Sequence, residues 1–300
     1  IFLLLTGEAL STENTYPIAR ILRDAVVHEL VIAHRELIEQ LNMAAHELLS
    51  KLVSDTNDDL PLGPAITEQL TRRAKAIIGD IPILISGEAG TGKLSVAKRI
   101  HQLRVEYITG LSYLDPRFKT PEPKYCYLKA NTLPESFADI EAEIARVIGN
   151  VTTGMTTPTL VVDDAHLLSP TAQDVFSRRI DEYLPRRASA AESDCPLKLL
   201  FTSPPGLYAL ADSGIYSSSL FAQISAIQIT CPPLRERFRD GADASAILAN
   251  LSRALSDCLR LPAPIALTSD DVERVRQQSW PGNFRDLNNH MISLFLDRST

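Results

Sequence analysis

Apolar residues recur at helical spacing through the first part of the chain. Ile18, Leu22, Val26, Leu30, Leu37, Leu41, Ala45, Leu48 and Leu52 lie three, four or seven positions apart, which is the stripe of an amphipathic helix. Pro17 stands at its start, where a missing N–H costs nothing. Ahead of it, Ile1 to Leu5 reads as strand-like and Ser11 to Asn14 as a polar turn. The stripe has two readings: a packed helix, or a coiled-coil linker that carries a signal from an upstream domain. Ser54 to Pro64, rich in Asp, Asn, Pro and Gly, reads as a linker.

From Ile66 the pattern changes. Short β-branched runs (Ile81 to Ile85, Tyr125 to Lys129, Thr159 to Val162, Leu197 to Thr202 and Ile224 to Thr230) alternate with helical stretches. Continuous apolar strands separated by helices predict a parallel sheet covered on both faces. Beyond Pro232-Pro233 the strand signal stops, and Ala242 to Leu259, Asp270 to Gln278 and Asn283 to Asp297 read as three helices. The expected organisation is a helical segment or end of an upstream domain over 1–58, an α/β core over 59–235, and a small α-helical lid over 236–300.

Composition narrows the class. With 45% hydrophobic and 22% charged residues the chain reads as an ordinary globular protein. A net charge of -7 argues against a surface that grips nucleic acid by charge alone. Cys126, Cys195, Cys231 and Cys258 are scattered without a CxxC pair, so reduced thiols are expected rather than zinc ligands or disulfides. No apolar run reaches the roughly 18 residues of a membrane span, and the basic start of a signal peptide is missing. A cytoplasmic location is the default expectation. Because the chain opens on Ile1 rather than Met, a piece of a longer protein is expected.

The chemistry concentrates in two places. Gly87-Glu88-Ala89-Gly90-Thr91-Gly92-Lys93 follows a predicted buried strand and precedes a helix, expected over Ser95 to Arg104. In that context glycines let backbone N–H groups turn inward around the β- and γ-phosphates of a nucleotide, and the helix N-terminus adds a favourable field. Lys93 supplies a point charge. Leu94 stands where a Ser or Thr would ligate Mg²⁺, and Ser95 or water would have to compensate. The second place is Asp163-Asp164, two carboxylates ending a buried strand, where open α/β sheets bind ligands. Asp163 is the candidate Mg²⁺ ligand. Asp164 is the candidate that polarises an attacking water.

Gly87 to Lys93 with Ala97 to His101, then Asn131 to Pro134, Pro232-Pro233-Leu234-Arg235-Glu236-Arg237, and Trp280-Pro281-Gly282-Asn283-Phe284-Arg285-Asp286-Leu287 together resemble bacterial enhancer-binding proteins. These are the AAA+ activators that remodel the sigma-54 form of RNA polymerase. The resemblance runs from about Leu60 to Arg298 and leaves out the first fifty-odd residues. It implies an α/β fold, a P-loop AAA+ three-layer core with a parallel sheet followed by a helical lid, with ATP and Mg²⁺ as cofactors. It also implies that Asn131 is the switch residue restraining the catalytic carboxylate, that Thr202 is the sensor I residue, and that Arg285 is the sensor II arginine reaching the nucleotide from the lid. Trp280 and Pro281 are expected to set the packing of the lid, and the arginines of Pro232 to Arg237 to be structural.

Departures from the family pattern shape the functional expectation. The interval between Asn131 and the Asp163 strand is too short for the sigma-contacting GAFTGA insertion and holds no such string; Gly149 to Thr157 offers only a Thr-rich turn. Ser217 and Gln223 stand where the family places arginines that reach a neighbouring subunit's γ-phosphate, a contribution of about 10³ to 10⁵ in rate. Asp164 replaces a Glu with a side chain one methylene shorter, and a misplacement near 1 Å can cost about 100-fold. The expectation is a nucleotide-sensing, oligomerising module of a transcription regulator (a homo-oligomer, dimer to hexamer) without efficient hydrolysis. DNA would be bound through an element outside this sequence, with RNA polymerase a candidate partner and a sigma-54 contact not expected. Two alternatives stay open: a working ATPase using Arg178, Arg179 or Arg186-Arg187 as an unorthodox trans arginine, or a vestigial scaffold.

Overall fold

The structure, a computed structural model, describes residues 62–79, 81–114, 124–149, 158–186, 197–239, 241–258 and 266–299, all within the compact unit Leu49–Thr300. The expected helix over Pro17 to Leu52, the turn after Gly149, Arg187 and Cys195 lie outside the described residues.

Five parallel strands form one sheet: β1 (Ile83–Ser86), β2 (Tyr125–Lys129), β3 (Thr159–Asp163), β4 (Lys198–Ser203) and β5 (Gln228–Thr230), in the order β2-β3-β4-β1-β5. β1, β3 and β4 are interior and buried along almost their whole length, as expected of strands covered on both faces. One face carries α1 (Pro64–Arg72), α2 (Ala74–Ile78) and α3 (Lys93–Leu114), packed through Ile77, Ile83, Ile85, Val96, Ile100 and Val161. The other carries α4 (Phe137–Ile148), α5 (Pro170–Arg186), α6 (Leu207–Asp212) and α7 (Ser218–Ile224) around Ile144, Phe176, Phe201 and Leu220. The three-layer α/β/α core is therefore as expected. A short helix, α8 (Leu234–Arg237), leads into α9 (Gly241–Cys258), α10 (Ser269–Gln277) and α11 (Phe284–Ser299), whose own apolar cluster gathers Ile247, Leu251, Val275, Trp280, Leu287 and Phe295.

Two sequence expectations need correction. The strand expected over Ile224 to Thr230 is only Gln228–Thr230, and Ile224 ends α7. The apolar run was shared between two elements: Ser217 accepts a hydrogen bond from the amide of Leu220 and caps a helix, which no period-2 reading anticipates. The helix expected from Ser95 to Arg104 runs from Lys93 to Leu114, because no Pro or Gly interrupts its first four turns.

Lys198 was not singled out in the sequence, yet it is fully buried at the start of β4. Its ammonium donates to the carbonyls of Ala76 (2.6 Å), Gly79 (2.8 Å) and Ile81 (2.7 Å), where a cation also suits the end of a helix. This ties the approach to β1, and hence the loop after it, to the sheet. Lys198→Met is expected to lower unfolding free energy by about 3 kcal/mol, since buried carbonyls lose their donor; urea unfolding checks it.

Candidate functional site

Every side chain singled out for chemistry sits at or near the C-terminal edge of the sheet. β1 ends at Ser86, and the loop 87–92 turns back into α3. Gly90 and Gly92 adopt φ of 75° and 90°, left-handed backbone that a side chain would strain. The amides of Gly92, Lys93, Leu94 and Ser95 make no hydrogen bond among the described residues, and the first backbone bond of the helix is Val96 N to Gly92 O at 3.0 Å. Partly exposed and pointing the same way at a helix N-terminus, these amides suit phosphate oxygens. The ammonium of Lys93 donates to the carbonyls of Gly87 (2.9 Å) and Glu88 (3.0 Å). Burial lowers its pKa, opposed by the nearby carboxylates of Asp164 and Asp163. The thiol of Cys231 is pushed up to about 12 by burial. The Leu94 side chain packs against the apolar cluster under α3.

β3 and β4 meet the same crevice. The hydroxyl of Thr202, fully buried, donates to Oδ1 of Asp163 and accepts from the amide of Asp164 at 3.1 Å. Thr202 thus holds both aspartates in register. Asp164 takes left-handed backbone, φ 55°, which Asp tolerates better than most residues. Oδ2 of Asp163 accepts a hydrogen bond from the hydroxyl of Tyr127 at 3.0 Å, and burial with that bond pushes the Tyr127 pKa up to about 12. Sequence reading missed Tyr127. The only signal was the period-2 alternation that sets Tyr125, Tyr127 and Lys129 on one face of β2.

Asn131 lies on an exposed turn after β2, Ala130–Thr132, beside the turn Ala165–Leu167. Its side chain makes no hydrogen bond among the described residues, to Asp164 or otherwise. The residue in register with Asp163 is Lys129.

The lid closes on the outer rim of the phosphate loop through the Trp280 to Asp286 motif. Asn283, fully buried and at φ 53°, donates from Nδ2 to the Ala89 carbonyl (2.9 Å) and Glu88 Oε2 (3.3 Å), and accepts from the Leu234 amide at 2.8 Å. The Phe284 amide donates to the Gly90 carbonyl at 3.0 Å. The Glu88 carboxylate therefore turns to the lid, paired with the Arg235 guanidinium through both oxygens. Arg237 pairs with Asp243 in a buried bridge at 2.9 Å. Arg285 is exposed on the first turn of α11, with its Cβ next to Gly90, and its guanidinium has no partner among the described residues. Trp280 is buried in the lid and donates to the Val275 carbonyl at 2.9 Å.

Arg235 and Asn283 hold the Glu88 carboxyl down at about 2 from its ordinary 4.5. A depressed carboxylate pKa adds stability above the unfolded value and loses it as pH falls through the folded one. The clamp is thus intact above about pH 4.5 and released on the way to pH 2. Glu88→Gln should flatten the acid-side fall of Trp280 fluorescence in that window.

The positions lacking arginine are engaged within the chain. Ser217 caps α7, and its amide donates to Gln173 Oε1 at 2.7 Å. Gln223 donates to Asp181 at 2.7 Å. Of the substitute arginines, Arg179 is paired with Glu141, while Arg178 is exposed with its guanidinium 5.1 Å from the centre of the Phe137 ring.

The groups present fit a nucleotide polyphosphate: open amides and a lysine at one helix start, with the stem of Arg285 beside Gly90. They fit a divalent cation less well. Both Asp163 oxygens already accept hydrogen bonds, Leu94 offers no oxygen, and the described residues contain no cluster of three His, Cys, Asp or Glu side chains that could hold a metal. None of the helices among the described residues is long and apolar enough to cross a membrane.

Residues 63–112 match the family described as the Sigma-54 interaction domain. The chain is 28% identical over 294 residues to the anaerobic nitric oxide reductase transcription regulator NorR of Salmonella agona, covering 93% of this chain and 53% of that protein. It is 25% identical over 277 residues to the DNA-binding transcriptional regulator NtrC of a Bradyrhizobium species, covering 85% and 53%. The fold superposes on NtrX from Brucella abortus with a TM-score of 0.57 and 16% identity, covering 90% of this chain and 58% of NtrX. NtrX has also been crystallised with ADP and with ATP. The chain spans about half the length of the curated relatives it matches.

Proposed function

From the premise that this chain resembles the AAA+ module of sigma-54-dependent transcription regulators, we propose that it binds ATP between core and lid and uses occupancy to set the angle between them. The observation that carries this reading is the open row of amides at Gly92 to Ser95 beside Lys93, joined directly to the lid through Asn283 and Phe284. A polyphosphate bound there supplies negative charge that the amides, Lys93 and Arg285 share, so core and lid are drawn to one relative position. A ligand favouring one arrangement shifts its population, and an oligomer that requires it then forms by mass action. A homo-oligomer, DNA bound outside this sequence, a cytoplasmic setting, and a core and lid divided near residue 235 belong to the same proposal.

Hydrolysis is not the main output in this reading. Ser217 and Gln223 are absorbed into α7 and α5 contacts, so neither reaches toward a neighbouring subunit as an arginine would. Asp164 is held by its backbone to Thr202, which orients a side chain shorter than the usual Glu. The second reading, an ATPase with a trans arginine, draws on Arg178, which is exposed and forms no ion pair among the described residues.

The test pairs calorimetric titration of ATP with steady-state phosphate release over a range of protein concentrations. Saturable binding with negligible turnover is expected. Turnover rising steeply with concentration and lost in Arg178→Ala would establish the second reading instead, and no binding at millimolar ATP would overturn both.

A further inference from the structure

Lys129 ends β2, and its Cα pairs in register with that of Asp163. Partners in a parallel ladder place their side chains on the same side of the sheet. That side is identified by Tyr127, two residues earlier on β2, whose hydroxyl reaches Asp163. Lys129 therefore leaves the same face one step closer to the crevice, at the carboxyl end of the strands where such sheets take their ligands. It is half-buried, and its ammonium makes no hydrogen bond or ion pair among the described residues. Asp163 thus has Lys93 near it on the loop side and Lys129 in register with it on the β2 side.

The cation economy of the site points the same way. Thr202 and Tyr127 occupy one oxygen each of Asp163, Leu94 is aliphatic and packed inward, and no third metal-binding side chain joins the aspartates among the described residues. Mg²⁺ at such sites usually keeps several waters and takes one or two carboxylates beside the phosphate oxygens; here Leu94 withholds the hydroxyl, and Thr202 and Tyr127 compete for the one carboxylate best placed to serve. A lysine is a compact charge that can bind phosphate oxygens directly.

We propose that Lys129 is a phosphate-binding residue of this site and serves as its resident cation, so that a nucleoside triphosphate is held without a divalent metal. The proposal rests on the reading of the loop 87–93 as a nucleotide site. Lys93 takes the phosphates from the loop side and Lys129 from the β2 side, where the metal would otherwise screen the aspartates from the terminal phosphate. The ammonium cancels part of the repulsion between Asp163, Asp164 and that phosphate, a role that needs charge but no ligand geometry.

The experiment is calorimetric titration of ATP into the whole chain, once in excess EDTA and once in excess Mg²⁺, for the wild type, Lys129→Met and Lys129→Arg. The wild type should bind with dissociation constants agreeing within about threefold in the two buffers. Lys129→Met should bind about 10- to 100-fold more weakly in EDTA, the range for loss of one charge-assisted contact, and recover part of this in Mg²⁺. Lys129→Arg should stay close to the wild type. Circular dichroism melting of each variant confirms that the fold is kept. Wild-type binding that vanishes in EDTA, or a folded Lys129→Met that binds as the wild type does there, overturns the proposal and leaves the nucleotide site standing. Absence of binding in both buffers overturns the nucleotide-site reading itself and this proposal with it.

Discussion

Replacing Lys93 with Met is expected to weaken ATP binding by about 100-fold or more while leaving the melting temperature nearly unchanged. Loss of one charge-assisted, partly desolvated partner costs about 2 to 5 kcal/mol, and each 1.4 kcal/mol is about tenfold in affinity. The stability side is argued from geometry. Lys93 is half-buried, and its only described hydrogen bonds go to the carbonyls of Gly87 and Glu88, in its own loop. The Glu88 carbonyl keeps the Thr91 hydroxyl as a donor at 2.8 Å, so the loop retains bonding when the ammonium is lost. Calorimetry for binding and circular dichroism for melting separate the two effects. A folded Lys93→Met that binds ATP as tightly as the wild type would remove the loop from the nucleotide-binding account.

The second large effect is expected at Gly90. Gly90→Ala should destabilise the chain by about 3 kcal/mol and loosen the lid from the phosphate loop. Two costs add. The residue sits at φ 75°, and left-handed backbone in a residue with a side chain costs about 1 to 3 kcal/mol. A Cβ there would also run into the carbonyl of Gly282, so the turn that carries Asn283 must move. Its displacement weakens the Phe284 amide to Gly90 carbonyl bond and the Asn283 to Ala89 bond. Trp280, the one tryptophan of the chain, is buried close by and reports on the lid. Urea unfolding followed by its fluorescence should shift to lower denaturant, and ATP affinity should fall with it. Unchanged urea midpoint and affinity would show that loop and lid are not mechanically joined.

Much of the core was legible because it depends on local chemistry repeated along the chain. Apolar runs of three to five residues marked the interior strands β1, β3 and β4, and the glycine-rich stretch before Lys93 marked the turn into α3. The three lid helices fell within a residue or two of their expected ends. Where reading failed, two elements competed for one apolar run. Ile224 looked like the start of a strand, yet the Ser217 cap and the burial of Leu220 and Ile224 against the core drew it into a helix. Intrinsic preference for strand in a β-branched residue is weak beside such burial.

At the site, residue types at fixed offsets in one segment located the loop, the aspartate pair and the lid motif. Which side chains face one another depended on register and on a chain reversal of nearly two hundred residues. Resemblance pointed to Asn131, on the turn just after β2; strand pairing adds that Lys129, two residues earlier, stands opposite Asp163. Tyr127 reaches the same carboxylate because alternation on β2 puts it on that face. Glu88 read as part of the cradle, whereas its carboxylate is held by Arg235 and Asn283 on the lid.

The sequence by itself determined a parallel α/β core with a glycine-rich loop after its first strand and a run of helices behind it, since periodicity and glycine placement are properties of neighbours in the chain. Only the tertiary structure decided that Thr202 and Tyr127 hold Asp163, that Asn283 and Arg235 bind the lid to the loop, and that Lys129 stands in register with Asp163. Those pairings come from sheet order and from burial of polar groups that must find partners, and neither is written in the spacing of any one segment.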